Sequence, residues 1–396
     1  MSYWSVIALR CICMLVAAFW LLAGLIVYVY FGYPLLLRLV RMLRGRAAAA
    51  IGMLEPSVTM VISAYNEETS IGEKLRNSLQ LDYPADRLEI VVVSDASTDR
   101  TDEIVQRCGS ARIRLLRMQE RGGKTVGLNC AVRESRGDIV VFSDANALYH
   151  ADALRMLVRN FADPTVGGVV GEATYVDARG EAERSEGLYW KYETGIKKLE
   201  SDVGSVVGGD GAIYAVRKTM YWDMRADALS DFVNPLQIVE QGYRVIYEPA
   251  ARSYERAGDD FGKEFQRKVR IVNRAWRATF SMPQMLNPLR FGFFSIQLIS
   301  HKLLRWLVPA LLVALLVVSA FLAPRGGIYA LALWVQAGFY GLALVGWALQ
   351  KRPQLPKAVS IPYFFCLVNV ASFLGIIDAF RGKTYTVWTT VRANGQ

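Results

Sequence analysis

Two stretches decide the fold: Ile90-Val91-Val92-Val93-Ser94-Asp95-Ala96-Ser97-Thr98-Asp99 and Ile139-Val140-Val141-Phe142-Ser143-Asp144-Ala145-Asn146. Each is an unbroken apolar run that ends abruptly in Ser-Asp. Runs without polar alternation belong to strands covered on both faces, the mark of a parallel sheet. Working outward, Val58 to Ser63 and Ile113 to Met118 read as further strands. Between the strands, Ile71, Leu75 and Leu79 stand at helical spacing, and helices are predicted over Thr101 to Cys108 and Lys124 to Ser135. Strand and helix therefore alternate. The expected fold class is α/β, a doubly wound and mostly parallel sheet with right-handed crossovers. In such a sheet ligands lie outside the carboxyl ends of the strands, so Asp95 and Asp144 should meet at one crevice. Either aspartate could instead serve only to cap the helix that follows it.

Beyond Glu181 the pattern loosens. A helix is expected over Glu186 to Leu199, then the glycine-rich Gly208-Gly209-Asp210-Gly211, a helix over Phe232 to Gln241 and a strand over Arg244 to Glu248. Glu264 to Phe280 is basic and amphipathic, with Phe265, Val269, Val272 and Trp276 on one face, and is expected to lie along a membrane surface.

The chain has 396 residues, enough for two units, and its 53% hydrophobic residues and mean hydropathy of +0.21 are high for a soluble enzyme. The excess is concentrated in four uncharged stretches: Cys11 to Leu37, Trp306 to Pro324, Gly326 to Gln350 and Ala358 to Ile377. Each approaches the roughly 20 residues that cross a bilayer. The first is too long for a signal peptide and lacks a small-residue cleavage pattern, so it reads as a retained anchor. The division expected is an anchor over 1–46, a cytosolic domain over 47–282 that includes the amphipathic helix, and a region of about three membrane segments over 283–396.

Arg38, Arg41, Arg44 and Arg46 follow the first span and put the polar middle in the cytosol; His301, Lys302 and Arg305 guard the second in the same way. Three crossings after a cytosolic domain would carry Arg381, Lys383 and Arg392 outside, against that rule, unless one segment is re-entrant. The formal charge of +10 sits largely beside the spans, where anionic headgroups are the natural partner, and no nucleic-acid recognition motif accompanies it. Cys11, Cys13, Cys108, Cys130 and Cys366 form no CxxC pair and no zinc spacing.

The ordered set VISAYNEE (61–68), VVVSDASTD (91–99), RGGKTVGLN (121–129), FSDAN (142–146), GGDGAIYAVR (208–217), SDFVNPL (230–236) and GYRVIYEP (242–249), with a basic helix before the last spans, resembles the membrane-embedded family-2 glycosyltransferases. Cellulose, hyaluronan, chitin-oligosaccharide and poly-N-acetylglucosamine synthases are processive members. The resemblance implies a GT-A-like domain between transmembrane helices, and it implies roles for particular residues. Asn66, Glu67 and Asp95 would hold the donor nucleotide, although Asp95, Ser97, Thr98 and Asp99 are also good turn residues. Lys124 would face the diphosphate; Met118 stands where a Walker A loop needs its earlier glycine. Asp144-Ala145-Asn146 occupies the place of Asp-x-Asp, so Asp144 and Asn146 would hold Mg2+ or Mn2+ through oxygen. Asp231 would be the base that deprotonates the acceptor, with Asp227 its rival and the N-cap of the next helix its plain alternative.

Arg267 to Ile271 falls where processive members carry Gln-x-x-Arg-Trp. Only Arg270 matches, as a donor-diphosphate contact, and Trp276 would replace the stacking tryptophan at the acceptor. A cationic helix binding headgroups needs the same residues. Asp210, Tyr189 and Trp190 align with acceptor-side elements, a place that packing alone could also explain.

The function this implies is inverting transfer of a hexose from a UDP-sugar to a growing polysaccharide, translocated across a bacterial inner membrane with possible secretion accessory proteins. The alternative is a single transfer to a lipid acceptor, as in ceramide glucosyltransferases and dolichyl-phosphate sugar synthases. A nucleotidyltransferase would need a glycine-rich basic loop after its first strand, and a transporter would need ionisable residues within its spans.

Overall fold

The computed structural model describes residues 3–176, 187–256, 261–350 and 355–387. The described chain divides into two compact units, the smaller being residues 1–36, 264–273 and 299–382, and the larger 37–263, 274–298 and 383–396. The chain begins with α1 (Tyr3–Val27), a π-helical turn (Tyr28–Gly32) and α2 (Tyr33–Arg44).

The larger unit runs β1 (Val58–Ala64), α3 (Ile71–Leu79), β2 (Leu88–Ser94), α4 (Thr101–Arg107), β3 (Ile113–Arg117), α5 (Lys124–Glu134), β4 (Ile139–Asp144), β5 (Leu148–Tyr149) and α6 (Ala153–Val158). It continues with β6 (Val166–Val176), α7 (Gly187–Val203), β7 (Tyr214–Arg217), α8 (Ser230–Glu240) and β8 (Arg244–Arg256). Glu186, the expected start of α7, lies outside the described residues. The eight strands among the described residues join one sheet in the order β3-β2-β1-β4-β7-β6-β8-β5. The half built from β3, β2, β1 and β4 is parallel, as the alternation predicted. The other half mixes directions, with β7 antiparallel to β4 and to β6, and β8 parallel to β6.

The unbroken apolar runs are explained by this sheet. Met60, Ile62, Ile90, Val92 and Val141 enter one buried cluster, while their neighbours Val61, Val91, Val93, Val140 and Phe142 enter another. Side chains alternate across a strand, so a run apolar at every position is required when both faces are dry. The segment after Arg46, whose alanine run over 47–50 has the composition of a linker, is instead fixed to this unit. Arg41 and Arg46 both pair with the buried Asp202, at 3.2 and 2.7 Å, and the Ala47 amide donates to the Asp202 carbonyl. Two of the arginines that follow the first span thus have a structural partner besides any headgroup.

The chain goes on through α9 (Phe261–Ser281), α10 (Pro288–Phe291), α11 (Phe293–Leu298), a π-helical turn (Ile299–Leu303), α12 (Leu304–Leu322), α13 (Gly327–Ala348) and α14 (Lys357–Phe380). Among the described residues four stretches are long and apolar enough to cross a membrane: Arg10–Arg44, Phe293–Arg325, Gly327–Ala348 and Lys357–Phe380. Within the smaller unit, Phe19 packs edge-on against Tyr329 at 4.9 Å, and the Tyr28 hydroxyl bonds Ser300 at 2.8 Å. His301 does not face headgroups as expected; it is 3% exposed, its ring 6.0 Å from that of Tyr33. The division between units falls inside α9. Its first part rests on α14, where the missing side chain of Gly375 admits Val269 and Val272, and Asn273 Nδ2 donates to the Gly375 carbonyl at 3.3 Å. The face expected to lie along lipid is therefore buried on a helix there.

Candidate active site

Register brings three turns to one level. Ser63 pairs with Val93 on one side and with Asp144 on the other, so β1, β2 and β4 end together. The first two turns interlock. The Asn66 amide N–H donates to Ser97 Oγ at 3.2 Å, Asn66 Oδ1 accepts from the Thr98 amide at 2.8 Å, and the Glu67 amide donates to Thr101 Oγ1 at 2.8 Å. Asn66 has φ +51°, a left-handed conformation that asparagine tolerates better than most residues. The Glu67 carboxylate accepts from the Ser70 hydroxyl. Asn66 and Glu67 thus shape the turn that the sequence reading assigned to a ligand.

Asp95 is 2% exposed, and its Oδ1 accepts the amides of Gly122 at 2.8 Å and Gly123 at 3.0 Å. Its carboxylate pins the Arg121–Lys124 loop to the end of β2. Gly123 has φ +89°, and a side chain there would also strike the Thr386 carbonyl, so only glycine suits the position. Beside it the Arg121 guanidinium lies over the Tyr65 ring, 3.5 Å from the centroid.

Lys124 opens α5 and donates through Nζ to Asp144 Oδ1. Gly211 marks the centre of the constellation. A Cβ at this residue would stand 3.2 Å from Lys124 Nζ, 3.6 Å from Asp144 Oδ2 and 3.8 Å from Asp231 Oδ2. Three charged groups from three separate segments therefore converge on the space a side chain would fill. Burial opposes the Lys124 ammonium, but Asp144, by charge and hydrogen bond, and then Asp231 and Glu255 outweigh it and raise its pKa. Burial raises the Asp231 carboxyl above the usual carboxylate range; Lys124 opposes the rise, and Asp210 and Asp144 add to it.

Asp231 is not the N-cap of its helix. Leu229 holds that position, and Asp231 lies in the first turn of α8. Four residues on, Pro235 sits inside the same helix. Proline has no amide hydrogen, so the Asp231 carbonyl loses its usual partner within the helix. The Gly209 amide takes that place at 2.7 Å, tying the backbone of Asp231 to the Gly208–Gly211 loop. Asp210 in that loop accepts the Ala212 amide at 3.2 Å.

The rival aspartate is occupied. Asp227 Oδ2 accepts from Arg277 at 3.0 Å and Oδ1 from Arg225 at 3.1 Å. Burial alone would raise its pKa, but the two guanidinium groups bring it below the ordinary value. The sequence reading missed Arg274, which is buried and donates to the Asp227 carbonyl at 3.1 Å and to Thr125 Oγ1 at 3.0 Å. It ties α9 to the start of α5 and to the segment before α8. Trp276 is 8% exposed with its ring 4.8 Å from Phe280, and Arg270 lies on the part of α9 that belongs to the smaller unit.

Lys74, Tyr149 and Glu255 were also missed. Lys74 is wholly buried, and burial pulls its pKa down to about 7 against the opposing pull of Asp144 and Glu255. A signal for it existed, since Lys74 stands beside the Ile71–Leu75 stripe that faces the core. Glu255, 8% exposed on β8, lies far along the chain from Lys74 and Lys124, the two ammonium groups it favours.

Among the described residues no cluster of three or more His, Cys, Asp or Glu side chains could hold a metal alone. Asp144 is a hard oxygen donor beside the space at Gly211, and Asn146, two residues on, offers a second oxygen of the same kind, a donor set that suits Mg2+ or Mn2+ completing its shell from phosphate and water.

Residues 59–222 match the model of glycosyl transferase family 2. The poly-β-1,6-N-acetyl-D-glucosamine synthase of Staphylococcus aureus is 26% identical over 222 residues, 54% of this chain and 53% of that protein. A β-monoglucosyldiacylglycerol synthase from Synechocystis is 38% identical over 118 residues, 29% of this chain and 25% of its own. The chain spans about half the length of the first of these relatives and a quarter of the second. Among solved structures, a mannosyltransferase from Pyrobaculum calidifontis in complex with GDP-Man and Mn2+ superposes with a TM-score of 0.72 at 24% identity, covering 92% of this chain and 99% of that one. The turns that carry Lys124, Asp144 and Gly211 thus lie within the 59–222 segment that matches glycosyl transferase family 2, and the fold is like that of the mannosyltransferase.

Proposed function

We propose that the protein transfers a hexose from a UDP-sugar, with inversion, to a growing polysaccharide that it passes through its own membrane segments. The observation that carries this reading is the convergence of Lys124, Asp144 and Asp231 on the space at Gly211. Asp231 takes the proton of the acceptor hydroxyl as its oxygen bonds to the anomeric carbon; the bond to the diphosphate breaks, and UDP leaves with that electron pair. Lys124 neutralises charge on the leaving group. Asp144 and Asn146 would hold a divalent ion, which would supply further neutralisation of the diphosphate. Asp95, holding the loop that carries Lys124, and the Arg121–Tyr65 stack frame the nucleotide end. Asn66 and Glu67 act there through the turn they build, with Arg270 assigned to the donor and Asp210 and Trp276 to the acceptor.

The arginines after the first span support a catalytic domain on the cytosolic face of a bacterial inner membrane. The contact of Thr386 with Gly123 supports a tail on that same side, so that one of the last three apolar segments does not cross fully. Inverted membrane vesicles supplied with radiolabelled UDP-sugars should form high-mass, glycosidase-sensitive product, while intact spheroplasts given the same donors should form none. The similarity to a glucosyldiacylglycerol synthase over 118 residues favours a second reading, one sugar to a lipid, which would give an organic-extractable product. Release of GDP but no UDP in a donor screen would overturn the choice of nucleotide.

Pro235 offers a separate test. Pro235→Ala supplies an amide that competes with Gly209 for the Asp231 carbonyl. Transfer should fall by about tenfold, because misplacing a reacting group by a fraction of an ångström is costly. The melting temperature should hold or rise, since alanine suits a helix interior better. Unchanged turnover would show that the Gly209 contact does not position the base.

A further inference from the structure

Asp144 to Ala147 form a tight turn, closed by the Ala147 amide donating to the Asp144 carbonyl at 3.2 Å. What holds this turn from beneath is α3. Lys74 Nζ donates to the Ala147 carbonyl, and the ammonium lies over the Tyr149 ring, 4.1 Å from the centroid. One helical turn along, Asn77 grips the Tyr149 backbone at both ends, accepting its amide and donating to its carbonyl at 2.8 Å each. The Tyr149 hydroxyl in turn reaches the carbonyls of Phe142 and Ala212, both at 3.1 Å. The segment after Asp144 is thus clamped to α3, to the end of β4 and to the residue after Gly211.

Burying an ammonium is expensive when its hydrogen-bonding partner is a carbonyl rather than a carboxylate. Methionine of similar length would fill the same space, so packing alone does not call for lysine here. The carbonyl that Lys74 holds belongs to the residue directly after Asn146. We propose that Lys74 is a positioning residue for the Asp144–Asn146 turn, fixing through the Ala147 carbonyl the arrangement in which the two oxygen donors meet a divalent cation. This rests on the metal reading given above. Groups that orient metal ligands from the second layer commonly change affinity by about 10–100-fold when removed.

The test is calorimetric titration of Mn2+ into the full-length protein in detergent with UDP present, alongside UDP titration without metal and thermal melts. Asp144→Asn serves as the reference. If the unsubstituted protein shows no Mn2+ binding that Asp144→Asn abolishes, the metal reading fails, and this inference with it. If it does, Lys74→Met should weaken Mn2+ by about 10–100-fold while leaving metal-free UDP affinity unchanged, and Lys74→Arg should recover most of the loss. Wild-type Mn2+ affinity in Lys74→Met overturns the assignment with the metal reading intact. So does a parallel loss of UDP affinity and melting temperature that arginine does not rescue, since that is the signature of packing. Should Lys74→Met fail to fold, Asn77→Ala releases the other end of the same segment; a smaller loss of Mn2+ affinity supports the clamp, and none overturns it.

Discussion

Asp231→Asn should lower transfer by roughly 10²–10⁴-fold, the usual contribution of a general base, while UDP affinity and melting temperature stay near those of the unsubstituted protein. The side chain is isosteric, and the helix keeps its start because Leu229, not Asp231, is the N-cap. The pH profile supplies a second readout. A base acts in its deprotonated form, and burial raises the Asp231 pKa. The acidic limb of kcat/KM should therefore lie above the ordinary carboxylate range, with activity lost as pH falls through it, and Asp231→Asn should remove that limb from the residual rate. Near-normal turnover in Asp231→Asn would take it out of the mechanism. Asp227 would not be a ready successor, because Arg225 and Arg277 hold its carboxylate ionised and engaged.

Chelation should abolish UDP release, Mn2+ or Mg2+ should restore it, and Asp144→Asn should behave as the chelated enzyme whether or not metal is supplied. Lys124 already donates to Asp144 Oδ1, so a cation and the ammonium compete for one carboxylate. Lys124→Met should then bind Mn2+ at least as well as the unsubstituted protein while losing turnover, which separates the two charges experimentally. Full activity in excess chelator would remove the ion from the reaction and leave neutralisation of the diphosphate to the protein's own cations.

β1, β2 and β4 were legible because burial on both faces leaves a trace in near-continuous apolar runs, whereas β3, IRLLR at the sheet edge with no buried position, was read from the alternation of strand and helix. Of the mixed half only the start of β8, Arg244 to Glu248, was legible. β6 contains Gly167, Gly168 and Gly171, where Ile238, Tyr243 and Ile213 press close, and glycine-rich strands read as loops. Asp144 and Asp231 were legible as carboxylates at motif positions. What a one-dimensional reading did not distinguish was a residue that builds a turn from one that faces a ligand: Asn66 and Glu67 interlock with 97–101, and Asp95 holds Gly122 and Gly123. Lys74, Arg274 and Glu255 escaped for another reason. Their partners lie far along the chain, and nothing local marks a charged residue as buried.

Pro235 makes the position of the base a matter of counting. A helix carbonyl is released only by a proline four residues later, so moving Pro235 by one place would unlatch Phe232 or Ser230 and leave the Asp231 carbonyl closed within the helix. Single-residue insertions and deletions between 231 and 235 should therefore be far less tolerated than substitutions at 232 or 233 that preserve the interval. The same interval of an aspartate and a proline at i and i+4, downstream of a Gly-Gly pair, is a ruler that can be laid against other sequences in search of a base latched in this way.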